Sequence, residues 1–588
     1  MAPATMRDSF FGDLVYHLSG HRYFQHPEDL PGFTIPTPPR SHKSSRSVTP
    51  TRDVETSSRP DDEESRLPEG EKTRLPRVDS DQGTIVVPEP TERAAAHQKA
   101  REVEEGDLER ERMKDAVQQE MSESLIVEWY SANDPEDPQN WSFRKKSFVT
   151  FEICLLTFSI YIGSAIYSPG IGQIAEQFGV SETAGTLGLT LFVAGYGVGP
   201  MFLSPLSELP QLGRTTVYIL SLALFVVLQV PTALSKNLGA LLPLRFVAGF
   251  AGSPALATGG ASLSDMWAPE YRAVVIGLWS VAAVSGPVLG PLLGGFATQG
   301  ERWTWTIWML LWLGGATLAL LVALLPETSA SALLYRRARR LRRVLRDARL
   351  KSAGEIEAEH MGVRDVAMMT LVRPFVLMLV EPIVAFWNVY IALVYGILYI
   401  FIESFRVVFV EKHGFNLGEN GLAFLGLFCG AVITYAFFAP YALRVLKPHF
   451  VNNTFVPEMR LPIAFVGSVL LPISMFWFGW TSSASVHWIV PIIASAFFSA
   501  GTYMLFQAGL NYLSDCYPRY VASVLAGNDF FRSMVGAAFP LFSTAFFHNL
   551  GVGPACSILG GIAILMLPIP WIMYRYGARI RSWSKYAD

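Results

Sequence analysis

The chain has 588 residues, 51% of them hydrophobic and 16% charged, with a formal net charge of −3 and four cysteines. The near-neutral balance supplies no global field for nucleic acid or acidic lipid. Cys154, Cys429, Cys516 and Cys556 lack CxxC and zinc-ligand spacing, so they read as reduced, space-filling thiols and no metal site is expected.

Met1–Phe33 contains neither a continuous apolar core nor a small-residue cleavage site, so no cleavable signal is expected and the first membrane helix must address the chain. Within it, DSFFGDLVYHL (8–18) would place Phe10, Phe11, Leu14, Val15 and Leu18 on one face of a short amphipathic helix; a weakly structured tail is the alternative reading. From Pro31 to Glu123, mixed charge with Pro and Ser leaves too little apolar surface to offset chain entropy, and disorder is expected. Residues 1–147 therefore read as a mostly disordered cytosolic tail ending in the turn-rich NDPEDPQNWS and the anchor Arg144–Lys146.

Apolar runs of about 20 residues then recur, each long enough to cross the ~30 Å hydrocarbon core as a helix, the form that pairs every backbone amide internally. The first six lie near 148–168, 184–204, 215–235, 240–262, 272–296 and 303–325; the second six near 376–401, 420–442, 461–480, 487–512, 520–547 and 552–575. The fold class is thus an all-α polytopic membrane protein of two six-helix bundles, 148–326 and 376–576, joined by a basic cytosolic loop at 327–375 and closed by a tail at 577–588. Lys and Arg concentrate in alternate loops, in YRRARRLRRVLRDARLK and after the last span, whereas 169–183 and 481–486 have none. That asymmetry places both termini in the cytosol. The basic run at 336–351 is a topology determinant, an anionic-lipid patch on a surface helix, or both. Trp129, Trp141, Trp303, Trp305, Trp480 and Trp488 are expected at membrane interfaces, near span ends.

Two similar bundles around a polar loop put a substrate site between them near the midplane. Ionisable residues inside spans are expensive and mark function or helix ties. Arg245 is one, expected to face the bundle interior or a partner, or else to tie helices together. Glu152 is another, and Glu403 is expected near the outer end of the seventh span. Asp265, Glu381 and Asp515 are expected near the cytosolic interface. Asp529 and Arg532, three apart in SVLAGNDFFRSM, share a helix face; they are either a structural ion pair or a carboxylate that takes a proton when its partner moves. Tyr161, Trp279, Trp387, Asn388, Tyr390, Tyr395, Tyr503, Gln507 and Asn528 are candidate cavity residues, an aromatic and amide lining suited to bulky, apolar, varied ligands. In the fifth span, GLWSVAAVSGPVLGPLLGG sets Gly277, Gly286, Gly290, Pro291 and Gly294 so that a neighbouring helix can approach backbone to backbone. There is no phosphate loop ending in Gly-Lys-Ser/Thr, no zinc motif and no nucleophile elbow, so neither an enzyme nor an ATP-driven pump is expected.

The spacing Gly-x8-Gly-x3-Gly-Pro-x2-Gly resembles the antiporter signature of drug–proton antiporters in the major facilitator superfamily. SPLSELPQLGRTTVY resembles that superfamily's loop signature at Leu206, Ser207, Glu208, Gly213, Arg214 and Tyr218, departing at Ser204 and by the extra Pro210-Gln211; the resemblance implies a cytosolic gate held by Glu208 and Arg214. LLPLRFVAGFAGSP resembles the fourth-helix motif, implying a proton-transfer role for Arg245. With RWTWTIWM, LPETSASALLYRRARRLR, NDFFRSMVGAAFPLF and the opening DSFFGDLVYHLSGHRYFQHPED, the chain from about Trp129 onward looks like fungal twelve-span antiporters of the azole- and benomyl-resistance branch. This implies a monomeric plasma-membrane exporter of small apolar drugs driven by protons without a cofactor, and no nucleic-acid partner. Coupling candidates are Arg245, Asp265, Asp529, Arg532 and Glu403. Rival readings are a proton-coupled uptake carrier or facilitator on the same fold, against which the glycine pattern argues, and a transporter-like sensor signalling through its long tail.

Overall fold

The computed structural model describes residues 4–30, 125–362, 368–518 and 520–584; the segment expected to be disordered, Pro31 to Glu123, lies outside the described residues. Among the described residues, eleven helices are long and apolar enough to cross a membrane, and one bent pair supplies a twelfth. The first six run Phe143–Phe178, Glu182–Glu208, Gly213–Ala233, Leu238–Met266, Pro269–Gly300 and Thr304–Leu324. The second six run Pro382–Lys412, Leu417–Val451, Pro457–Thr481, Ile489–Cys516, Ser523–Ala538 with Pro540–Leu550, and Val552–Arg581.

Their ends follow from local chemistry. Ser142, Ser181 and Asn237 accept hydrogen bonds from the Lys145, Ala184 and Ala240 amides and cap the first, second and fourth spans. The eleventh span bends by 45° at Pro540, which has no N–H to donate. The seventh departs from its expected start at 376: a separate helix, Arg373–Val380, ends at Glu381, and the span begins at Pro382. Glu381 is extended (φ −93°, ψ 110°), because the proline ring disfavours helical geometry in the residue before it.

The helices pack as a repeat. Spans 1 and 5, 2 and 4, and 3 and 6 pair in the first bundle; their counterparts six spans on, 7 and 11, 8 and 10, and 9 and 12, pair in the second. The bundles meet along spans 2 and 11 and along spans 5 and 8, again related by the six-span shift. A cavity bounded by both bundles is the consequence.

An apron of short elements covers the side on which the first span begins and the twelfth ends. A helix at Phe10–Leu18, the short strands Leu125–Ile126 and Leu350–Lys351 in parallel, and a helix at Ala330–Leu345 form it. The basic run is not a uniformly exposed patch. Arg337 is 1% exposed and pairs with Asp134 (2.7 Å) and Glu136 (2.8 Å), while buried Arg340 pairs with Glu28 (3.3 Å) and Glu136 (2.9 Å). Burial alone would raise the Glu136 carboxyl, yet nearby His26 and the Arg340 and Arg337 guanidiniums hold it well below the usual carboxylate range. Arg339, Arg343, Arg346 and Arg349 remain exposed. Trp141 and Trp303 stand at span starts, as expected, but are buried, the latter because its ring N–H donates to Gln177 (2.8 Å), whereas Trp305, Trp480 and Trp488 are exposed. Of the thiols, Cys516 and Cys556 are buried, but Cys429 stands exposed on the eighth span.

Candidate functional site

A cavity of about 790 Å³ runs from mid-span to the ends of the spans that carry the apron. Tyr161, Trp279, Tyr395, Tyr503, Gln507 and Asn528 line it, with Phe506, Asp529 and Arg532. Three other candidates do not. Trp387 turns away to pack over Gly509 and against Tyr512, and Tyr390 packs on Trp387. Asn388 lies behind the wall, accepting a hydrogen bond from Asn528 (2.7 Å). An aromatic-rich helix shows no sequence signal for which of its faces is turned inward when it is buried nearly all round, as the seventh span is.

Asp529 and Arg532 form an ion pair in the cavity wall, 3% and 8% exposed. The Arg532 guanidinium also donates to the Tyr161 hydroxyl (3.3 Å) and lies over the rings of Tyr395 and Phe506 at 5.5 and 5.8 Å. Asp529 Oδ2 and Arg532 Nε have no hydrogen-bond partner among the described residues, so each group is only partly satisfied. One carboxylate with an arginine partner, at the junction of the two bundles, can exchange a proton as the partner moves.

At the apron end, the gate residues are arranged differently from the implied pairing. Arg214 Nε donates to Asp265 (2.8 Å), not to Glu208, which borders the cavity and has no ion pair among the described residues. The helix starting at Gly213 is capped instead by Glu327, whose carboxylate accepts from the Arg214 (3.1 Å) and Thr215 (3.3 Å) amides. The second bundle repeats the latch: Arg460 donates to Asp515 (2.8 Å). A sequence signal for it exists, since Leu-Ser-Asp stands at 263–265 and again at 513–515, at the same ends of spans 4 and 10. Gly213 has φ +70°, and a Cβ there would strike the Glu327 carboxylate. Gly213→Ala is expected to cost about 1–3 kcal/mol, through left-handed strain and a displaced cap; a lowered thermal midpoint of the purified protein checks this.

The fifth-span glycines lie against the first span. A Cβ at Gly286 would fall 2.6 Å from Tyr161 Cβ, one at Gly290 would fall 2.7 Å from the Ile166 nitrogen, and one at Gly294 would overlap the Ile166 carbonyl. Gly277 instead faces Tyr503, whose hydroxyl donates to the Gly277 carbonyl (2.9 Å). Pro291 lies within the helix, its carbonyl 2.9 Å from where a Gly421 Cβ would stand.

Arg245 does not border the cavity and has no carboxylate partner among the described residues. It is fully buried, donating to the carbonyls of Gly188 (3.0 Å) and Gly163 (2.7 Å) and lying over Phe192 at 4.3 Å, which ties spans 1, 2 and 4. Glu403 stands at the other end of the molecule, accepting from Ser168 (3.3 Å). At that end the bundles touch. Nearer mid-span, where the cavity ends, they touch again: Tyr196 of the second span bonds the hydroxyls of Tyr395 (2.6 Å) and Tyr399 (2.8 Å), and Thr190 donates to the Ala537 carbonyl (2.9 Å). Tyr196 and Tyr399 are contacts that sequence reasoning did not single out. Glu152 is fully buried and neither carboxylate oxygen has a hydrogen-bond partner among the described residues; an intramembrane carboxylate of this kind is a functional candidate by default.

Residues 153–540 match the family model described as Major Facilitator Superfamily. The chain is 47% identical over 470 residues to Transporter mfs1 of Schizosaccharomyces pombe, spanning 79% of this chain and 88% of that protein. It is 42% identical over 474 residues to Fluconazole resistance protein 1 of Saccharomyces cerevisiae, spanning 80% and 86%. Among solved structures it is similar to the human organic anion transporter MFSD10, with a TM-score of 0.50 and 17% identity over 73% of this chain and 99% of that one. At that identity the likeness speaks for the fold alone.

Proposed function

From the premise that the chain belongs to the Major Facilitator Superfamily, we propose that it is a proton-coupled antiporter that exports small, largely apolar drugs, fungicides or toxic metabolites across the plasma membrane by alternating access. The observation that carries this reading is the Asp529–Arg532 pair set in an aromatic-lined cavity between the bundles. The relative named for fluconazole resistance supports the substrate class.

With both termini in the cytosol, as the Lys and Arg distribution favours, the cavity opens inward and the mid-span Tyr196–Tyr395–Tyr399 contact closes it on its outer side. A drug enters from the cytosol and packs on Tyr161, Trp279 and Phe506. Rocking of one bundle against the other exposes the site to either side in turn, while the Arg214–Asp265 and Arg460–Asp515 pairs each brace the cytosolic mouth within one bundle. A proton from outside neutralises Asp529, releases Arg532 from its partner and resets the drug site; return of that proton to the cytosol restores the pair. Driven by the proton gradient, the cycle needs no cofactor, and one chain supplies the whole cavity, so a monomer suffices.

Expression in cells lacking their own pumps should lower accumulation of an azole, and a protonophore should abolish the effect. Efflux that survives uncoupling but stops on ATP depletion would overturn the reading.

A further inference from the structure

The helix at Phe10–Leu18 is amphipathic in the reverse sense. Apart from Phe10, which packs against the core at its first residue, its inward face is small or polar. Gly12 is buried, Asp13 pairs with Arg336 (2.6 Å), and buried Tyr16 donates to Asp29 (2.7 Å) and accepts from Arg343 (3.2 Å). Its outward face carries Phe11 (38% exposed), Leu14 (47%) and Leu18 (79%). At 100° per residue these three fall within about 60° of arc. A helix on a water-facing surface turns its apolar stripe inward and its charges out; this one does the opposite, so the medium outside it is not water.

Its position says what that medium is. Asp8, just before the helix, pairs with Lys145 in the first turn of the first span (3.2 Å). Ser9, its capping residue, pairs through the backbone with Pro326, two residues beyond the end of the sixth span. The helix then packs on the sixth span itself, and Phe143 at the start of the first span is 73% exposed at the same level. Both anchors are span ends, which fixes the helix at the depth where hydrocarbon gives way to headgroups. There an apolar stripe is stabilised by burial and the adjoining charged face stays wet.

We propose that Phe10–Leu18 is an interfacial anchor, with Phe11, Leu14 and Leu18 buried in the phospholipid boundary beside the sixth span. The inference is independent of the transported substrate. Its test uses the full chain with Cys154, Cys429, Cys516 and Cys556 replaced by Ala, reconstituted in phospholipid nanodiscs. Spin labels are placed singly through Leu14→Cys, Leu18→Cys and His17→Cys, the last on the exposed polar flank. Collision with oxygen, which concentrates in lipid, is compared with collision with a water-soluble nickel chelate. The oxygen-to-nickel ratio should be several-fold higher at 14 and 18 than at 17. Equal ratios at the three positions would overturn the proposal, leaving the stripe in water. So would dipolar broadening between labels at 14, which marks a second copy of the chain as the occupant. A rise in nickel collision at 14 on deleting residues 31–120 would overturn it too, since the chain's own segment would then be the cover.

Discussion

Gly290→Leu is expected to leave little or no transport at matched surface abundance, while Cys429→Ala transports like the parent. A Cβ at position 290 would sit 2.7 Å from the Ile166 nitrogen and 3.0 Å from the Ala165 carbonyl carbon, both backbone atoms of the first span. Backbone cannot rotate aside as a side chain can, so the two spans must separate. Overpacking of this kind costs about 1–3 kcal/mol, and more where the neighbour is rigid. The displaced helix carries Tyr161, which contacts Arg532, so separation also moves the cavity wall. Cys429 is exposed on the eighth span, and its replacement removes only a sulfur on the outer surface of the bundle. Drug efflux normalised to surface protein checks the comparison, and equal residual transport in the two variants would count against the close-contact reading.

Asp529→Asn should abolish proton-driven efflux while drug binding stays measurable. Asn keeps the size and reach of Asp but exchanges no proton in the working pH range. Were the carboxylate only a structural partner, its loss would strand Arg532 as a buried cation, a cost of about 3–5 kcal/mol that would show as poor folding. The geometry argues that the stranded cation is partly supported by the Tyr161 hydroxyl and by the faces of Tyr395 and Phe506. Surface abundance, equilibrium binding and the pH dependence of efflux on one preparation separate the cases. Normal abundance with unchanged pH-dependent efflux would exclude Asp529. Glu152, buried without a hydrogen-bond partner, would then be the next carboxylate to neutralise.

The spans were legible because hydrocarbon imposes a length and an apolar composition that no soluble helix needs to keep twelve times over. The seventh start was misplaced because hydropathy continues through Phe375–Val380 and only Pro382 marks the break. The Asp529–Arg532 pair could be read from spacing along one helix. The Arg214–Asp265 latch could not, since its partners lie 51 residues apart and Glu208 is the nearer acid in sequence. The repeated Leu-Ser-Asp was the available clue. Trp387, Asn388 and Tyr390 were placed in the cavity wrongly, because residue type says that a side chain is buried but not against what. The buried arginines of the central helix were missed for the same reason: Asp134 and Glu136 neutralise them from about 200 residues away, at separations of 203 and 201.

The most direct measurement is drug flux in oriented proteoliposomes under an imposed pH gradient. With the cytosolic face outward, an acidic lumen should drive uptake of an azole into the vesicle against its own gradient, with lumenal protons leaving as drug enters. Reversing the pH gradient should reverse the flux, and Asp529→Asn should remove the dependence. Drug and protons moving in the same direction, or drug equilibrating without regard to the pH gradient, would contradict proton-coupled export.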